Sequence, residues 1–167
     1  MHPAAPLGII LALAAAAPAS AAAKDPFCTA LDALIGEAAL RTQAVRVSVL
    51  SEDAMAIECR RETDDAVQGA YCAAAYASTG PEMLHRYPWN VETCLASEGV
   101  KPAVELKPEG TMLRRGTLWG QKPLKKMVHL SARLRGGLEL DVRFTSDNPY
   151  ADHWFGSYDL VIWKPAA

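Results

Sequence analysis

The sequence predicts an α+β fold, in which amino-terminal helices and a short hairpin pack on a carboxy-terminal antiparallel sheet. Apolar residues recur mostly at helical spacing in the first part of the chain, and beyond Lys101 they alternate with polar residues. Four cysteines follow an export signal, and an even number of cysteines in an exported chain indicates two disulfides. These observations together predict a small, disulfide-bonded domain.

Residues 1–23 have the layout of a cleavable secretory signal. An apolar run from Leu7 to Ala17 is too short to cross a bilayer, which takes about 20 residues, and small residues follow it. The region before this run lacks the Lys or Arg that such signals usually carry. We expect a signal peptide over 1–23, one mature domain over 24–167, and a periplasmic or secreted location without a transmembrane segment.

The first helix is expected to begin at Asp25 and Pro26, because Asp can cap free amides and Pro fits the first turn. An apolar face then continues to about Leu40. Alternation over residues 45–49 and 55–59, on either side of a polar turn, predicts a hairpin of two strands.

Two further helices are expected before the sheet. The alanine-rich residues 64–78 are assigned to a helix, although their centre would also suit a buried strand. The next helix is expected to open at Thr79, and Pro88 must kink or end it. Asn90 can then cap the helical residues after it, and Gly99 is placed to close them.

The clearest pattern is a pair of alternating runs on either side of a Gly-Gly sequence. A two-residue turn would set Leu134 opposite Glu139 and mix the core and solvent faces. A three-residue loop over 135–137 instead pairs Leu134 with Leu138 and sets Arg133 opposite Glu139. We therefore predict the three-residue loop.

Further strands are predicted over Met112–Trp119 and Tyr158–Trp163. The second is apolar on both faces, so we expect it at the centre of the sheet. The sheet is expected to have about four strands.

The four cysteines allow three pairings. We favour Cys59 with Cys72, which are neighbours across a polar turn. A second bond between Cys28 and Cys94 would tie the first helix to the last one before the sheet. Zinc is the alternative, but no two cysteines lie two to four residues apart, so we expect no metal and no cofactor.

Charge is segregated along the chain. Residues 101–135 have a net charge of +7, whereas residues 24–100 have −6 and residues 136–167 have −3. The basic stretch is typical of a site for an anionic partner. Alternatively, its charges lie against the acidic helices or keep an edge strand from pairing with other chains. The candidate binding residues in this stretch are Arg114, Arg115, Lys122, Lys125, Lys126 and Arg133.

The segment between Phe144 and Ser157 holds four ring side chains, which are typical anchors of a binding surface. Alternatively, these rings fold back and close the open end of the sheet. The candidate binding residues in this segment are Tyr150, His153, Trp154 and Phe155.

Catalytic residues are few. Asp152 and His153 could serve as acid and base, and Ser146 or Ser157 as nucleophile, but adjacent residues do not orient one another as a triad requires. A cysteine–histidine pair would need a free thiol, for example at Cys72, in an oxidising compartment.

We therefore favour a non-catalytic binding or inhibitory protein of the immunity type, with a protein or an anionic envelope component as its partner. Nucleic acid is not expected, because the chain has a net charge of −2 and no recognised motif. The alternatives are a small envelope hydrolase and an accessory protein that contacts anionic lipid or cell-wall polymer.

Overall fold

The structure, a computed structural model of the 167-residue chain, describes residues 24–53, 56–80, 84, 86–108, 125–145 and 156–166. Within these ranges, three α-helices accompany a six-stranded antiparallel sheet, which confirms the α+β class. The helices are α1 (Pro26–Leu40), α2 (Ala66–Ser78) and α3 (Tyr87–Ser97). The strands are β1 (Val45–Asp53), β2 (Ala56–Arg61), β3 (Ala103–Pro108), β4 (Lys125–Arg133), β5 (Glu139–Thr145) and β6 (Gly156–Trp163).

Capping residues set the starts of the first two helices. The Asp25 side chain accepts hydrogen bonds from the amides of Phe27 and Cys28, at 2.9 and 3.3 Å, so the predicted start of α1 is confirmed. Asp65 caps α2 by accepting from the Gln68 amide at 2.7 Å. The helical assignment of this alanine-rich segment is also confirmed.

The helix expected to open at Thr79 falls partly on residues 81–83, which lie outside the described residues, and Thr79 itself is the C-cap residue of α2. The expectations at Pro88 and Asn90 were wrong. Pro88 lies in the first turn of α3, where its missing N–H leaves no intrahelical bond unmade, so it begins the helix rather than kinking it. Asn90 lies within the helix, and its side-chain amide donates to the Ser78 carbonyl at 3.4 Å.

The hairpin of β1 and β2 belongs to the main sheet instead of packing on it. The strand order is β2-β1-β6-β5-β4-β3, and β1 pairs with β6 from Val45, opposite Ile162, to Ser51, opposite Gly156. This pairing gives the second edge of β1 its backbone hydrogen bonds. The central position predicted for Tyr158–Trp163 is confirmed, whereas the predicted strand Met112–Trp119 lies outside the described residues.

The loop between β4 and β5 has the predicted length of three residues. The Leu134 amide donates to the Leu138 carbonyl at 2.8 Å, and Arg133 lies opposite Glu139. Gly136 and Gly137 both have positive φ, 76° and 77°, which glycine adopts without strain. The hydrophobic pattern on the two strands therefore selected the correct register.

All three helices cover one face of the sheet. Alternate residues of β1, β4, β5 and β6 are buried together with the inner faces of the helices in a single cluster. Aromatic rings link the two layers, since Phe27 contacts Tyr71 and Tyr87, and Tyr87 contacts Tyr158, with ring centroids 5.5 to 6.0 Å apart.

Both predicted disulfides are confirmed. Cys28–Cys94 joins α1 to α3, and Cys59–Cys72 joins the edge strand β2 to α2. The Cys59 amide also donates to the Tyr76 hydroxyl at 2.8 Å. Helix α2 therefore covers part of the β2 edge.

Candidate functional site

The sheet face opposite the helices, which we call the open face, carries polar side chains from every strand. Because side chains alternate along a strand, the residues between the buried ones point to this face. One row crosses all six strands in order, with each residue opposite the next: Arg60, Ser48, Asp159, Arg143, His129 and Glu105. The open face therefore carries a continuous row of polar side chains from one edge of the sheet to the other.

Two carboxylates organise the centre of the open face. Asp141 contacts the His129 imidazole through Nε2 and the Arg143 guanidinium at 3.4 Å. Asp159 accepts hydrogen bonds from the Ser48 hydroxyl at 2.5 Å and the Thr145 hydroxyl at 3.2 Å. Each carboxylate is thus held by side chains of neighbouring strands.

The His129–Asp141 pair has the geometry of an oriented base, because a carboxylate on one ring nitrogen fixes the orientation of the imidazole. Within the described ranges, no serine, threonine or cysteine side chain hydrogen-bonds to His129. Cys72 is bonded to Cys59 and offers no thiol to this histidine. The pair therefore lacks a nucleophile among the residues that the structure describes.

A shallow depression of about 500 Å³, which we call the Val161 bowl, lies on the open face. Val161 is at its centre, opposite Arg46 on β1 and Asp141 on β5. The depression forms because this short side chain is surrounded by longer ones. The other lining residues are Ala44, Arg143, Asp159 and Trp163.

The predicted basic residues are divided between different places. Lys126 lies opposite Lys107, and Lys125 lies opposite Pro108, at the end of the β3–β4 pair. Arg133 lies at the other end of β4, roughly 25 Å away, where it contacts Glu139 at 3.3 Å. The remaining candidates, Arg114, Arg115 and Lys122, lie outside the described residues.

The candidate aromatic residues Tyr150, His153, Trp154 and Phe155 also lie outside the described residues. The strand ends that flank these candidates in the sequence are described. Pro108 and Lys125 flank residues 109–124, Thr145 and Gly156 flank residues 146–155, and all four flanking residues lie at the same end of the sheet. We call this the lysine end, after Lys107, Lys125 and Lys126.

Acidic residues of the helical layer are paired with basic residues close to them in the fold. Lys24 contacts Asp32 and Glu98, whereas Arg41 contacts Glu37 and Asp65. The Lys24 ammonium lowers the pKa of Glu98 through a side-chain hydrogen bond, and the charge of Arg135 lowers it to a smaller extent. Among the described side chains, no ion pair joins a basic residue of 101–135 to an acidic residue of 24–100.

Sequence reasoning missed the residues of the Val161 bowl. Strand alternation places Asp141 and Arg143 on the solvent side of β5, but it does not show which strand lies beside them. The bowl exists because β6 separates β5 from β1, a strand that is about 95 residues away in sequence. No pattern in the sequence indicates that β1 pairs with β6.

The fold and the open face define a disulfide-bonded α+β protein with helices on one side of an antiparallel sheet. No protein-family model, curated protein or solved structure matches the chain. Of the helices in the described ranges, none is long and apolar enough to span a membrane. The same ranges contain no cluster of three or more His, Cys, Asp or Glu residues suited to a metal ion.

Proposed function

We propose that this is a non-catalytic binding or inhibitory protein of the periplasm or extracellular space, which binds an acidic surface of a partner protein through its lysine end. The observation that carries the proposal is the position of Lys107 directly opposite Lys126. Like charges in directly opposed positions destabilise a sheet, so this pair brings the fold no benefit. An acidic partner would remove that cost on binding.

The first alternative explanation is that the basic stretch neutralises the acidic helices. The ion pairs of Lys24 and Arg41 argue against it, because these residues already contact four helical-layer carboxylates. The described ionic contact of Lys107 is with Glu105 on its own strand, at 3.6 Å, and its side chain is 65% exposed. Lys107 is therefore accessible to a partner.

The second alternative is that the lysines prevent β3 from pairing with other chains. Lysine on an edge strand has this effect, and β3 is an edge of the sheet, so the argument could explain Lys107. It applies less directly to Lys125 and Lys126, because β4 is an inner strand in the sheet order, with β5 opposite its residues 129–133. A binding role accounts for all three lysines.

Two features support the compartment in the proposal. The two disulfides join all four cysteines, as is usual for proteins that fold in oxidising compartments. The signal-like residues 1–23 agree with export.

The proposal is tested by reversing charge at the lysine end. Immobilised wild type and the Lys107→Glu/Lys126→Glu variant are compared for capture of proteins from periplasmic extract at low and high salt. We expect a protein that wild type captures at low salt to be lost from the variant, by about tenfold or more, and to be lost from wild type at high salt. The Arg114→Glu, Arg115→Glu and Lys125→Glu substitutions extend the test along the basic stretch.

The matched control is Lys101→Glu/Lys164→Glu, which makes the same change of charge at the opposite end of the sheet. Equal capture by wild type and both variants would contradict the proposal. Binding of wild type to anionic lipid vesicles without any captured protein would instead favour the lipid-contacting accessory role.

A further inference from the structure

The Val161 bowl is a second site, distinct from the lysine end. We propose that it binds the carboxylate of a compact ligand with an apolar body, held between the guanidinium groups of Arg46 and Arg143. The apolar body of the ligand would lie on Val161 and against the ring of Trp163. All four residues line the same depression.

The unused hydrogen-bonding capacity of the bowl belongs to donors. Arg46 contacts Glu62 at 3.4 Å and Arg143 contacts Asp141 at 3.4 Å. Within the part of the chain that the structure describes, neither guanidinium makes a hydrogen bond, although each carries five N–H donors. Their side chains are 59% and 64% exposed, so both are accessible to a ligand.

The acceptors at the bowl are already engaged. Both oxygens of Asp159 accept from hydroxyl groups, one from Ser48 and the other from Thr145. The Asp141 carboxylate contacts His129 through one oxygen and Arg143 through the other. Each of these carboxylate oxygens thus has a partner, whereas the guanidinium N–H groups of both arginines make no hydrogen bond among the described residues. The larger unused capacity of the bowl is therefore for a ligand that accepts hydrogen bonds, such as a carboxylate.

The positions of the two arginines suit one anion between them. Arg46 on β1 and Arg143 on β5 flank β6 and are offset by two residues along the strands. Standard sheet spacings put their Cα atoms about 12 Å apart, and Val161 and Asp159 of β6 lie between them, opposite Arg46 and Arg143 respectively. Two long side chains can converge over this gap, and an arginine can hold a carboxylate through two parallel hydrogen bonds.

The dimensions and the lining of the bowl agree with a small organic acid. The depression, of about 500 Å³, is open to solvent and has room for one small organic acid. Val161 and Trp163 are half-buried, and together they provide an apolar floor and an aromatic wall. Phenylacetate combines a carboxylate with a flat apolar ring, so it is a suitable probe of this chemistry.

The experiment is a titration of the protein with phenylacetate, followed by NMR at the Val161 methyl groups and the Trp163 indole. We expect saturable shifts at both residues, and binding about tenfold or more weaker in Arg46→Gln/Arg143→Gln. Val161→Phe, which fills the bowl and keeps both arginines, is expected to abolish the shifts. Arg133→Gln, on the open face but outside the bowl, is the matched control and should bind as wild type does.

Neutral phenylacetamide has nearly the same shape as phenylacetate but carries no charge, so comparing the two shows whether binding depends on the carboxylate charge. Equal binding of phenylacetamide, unchanged binding by the double glutamine variant, or no saturable shift at Val161 and Trp163 would each overturn the proposal. A peptide that ends in phenylalanine, with a free or an amidated carboxyl terminus, distinguishes the source of the carboxylate. Tighter binding of the free-terminus peptide than of phenylacetate would assign the bowl to a polypeptide end, and weaker binding would assign it to a free acid.

The result of the phenylacetate titration can be distinguished from the result of the protein-capture experiment at the lysine end. Lys107→Glu/Lys126→Glu changes the lysine end alone, so this variant should bind phenylacetate as wild type does. Loss of protein capture with intact phenylacetate binding would show two independent sites.

Discussion

Two buried tyrosines hydrogen-bond to each other in the core. The hydroxyl oxygens of Tyr71 and Tyr87 are 2.6 Å apart, and both side chains are fully buried. Burial raises the pKa of both phenols well above the usual value. Both phenols are therefore neutral throughout the physiological pH range, and each hydroxyl has the other as its hydrogen-bond partner.

We predict that Tyr87→Phe lowers the free energy of unfolding by about 1 to 3 kcal/mol, because it leaves the Tyr71 hydroxyl buried without a partner. The Tyr71→Phe/Tyr87→Phe double variant should cost less than the two single changes added together. Urea denaturation of all four proteins measures this coupling. Simple additivity would show that the hydroxyl pair contributes nothing specific.

A carboxyl pair near the start of α2 makes stability depend on pH. Burial, reinforced by the charge of Asp65, raises the pKa of Glu37. Hydrogen bonds from Gln68 and Thr63 lower the pKa of Asp65. The Arg41 guanidinium contacts both carboxyl groups. The burial and the neighbouring charge make ionisation of Glu37 unfavourable in the folded protein.

The sign of the effect is set by proton linkage. An acid with a raised pKa binds more proton in the folded state, so its contribution to stability falls as pH rises from the usual carboxyl range through the raised pKa. Asp65 acts in the opposite direction, because its contribution is lost as pH falls through its lowered pKa. We predict that wild type gains stability relative to Glu37→Gln when the pH falls from 7 to about 4. Urea denaturation at the two pH values tests this, and a difference that does not change with pH would contradict it.

At the scale of elements, the two disulfides fasten different parts of the fold. Cys28–Cys94 closes a chain segment with a sequence separation of 66, and Cys59–Cys72 one with a separation of 13. On the chain-entropy model, loops of these lengths contribute about 4 and about 3 kcal/mol. The longer loop therefore restricts the unfolded chain more.

We predict that Cys28→Ser/Cys94→Ser destabilises the protein by more than Cys59→Ser/Cys72→Ser does. Thermal and urea unfolding of both double variants, with the reduced wild type as reference, measure the order. A larger loss in the Cys59→Ser/Cys72→Ser variant would show that fastening the β2 edge to α2 outweighs loop entropy.

The elements that sequence patterns predicted correctly are determined by residues that lie close together in the chain. Asp25 with Pro26 began α1, and the apolar alternation around Gly136-Gly137 chose the three-residue loop. Pro88 was interpreted wrongly because a proline signals either the end or the first turn of a helix. Its neighbours in the sequence did not show which case applied.

For the whole molecule, the acidic and basic residues that are segregated along the sequence also lie on different surfaces of the fold. The helical layer pairs its own acids, whereas Lys107, Lys125 and Lys126 are concentrated at one end of the sheet. The Val161 bowl lies on the open face with both signs of charge around it. A protein with this layout has room for a macromolecular partner at one site and a small anion at the other.

The sequence by itself determined the α+β class, the disulfide pairs, the start of α1, and the register of β4 with β5. These features depend on nearby residues or on cysteine pairing, so the local pattern contains the information. Only the tertiary structure decided that β1 pairs with β6, which completes the six-stranded sheet and brings Arg46 beside Val161. Backbone hydrogen bonds between strands are the same for any sequence, so strand order depends on the packing of the entire core.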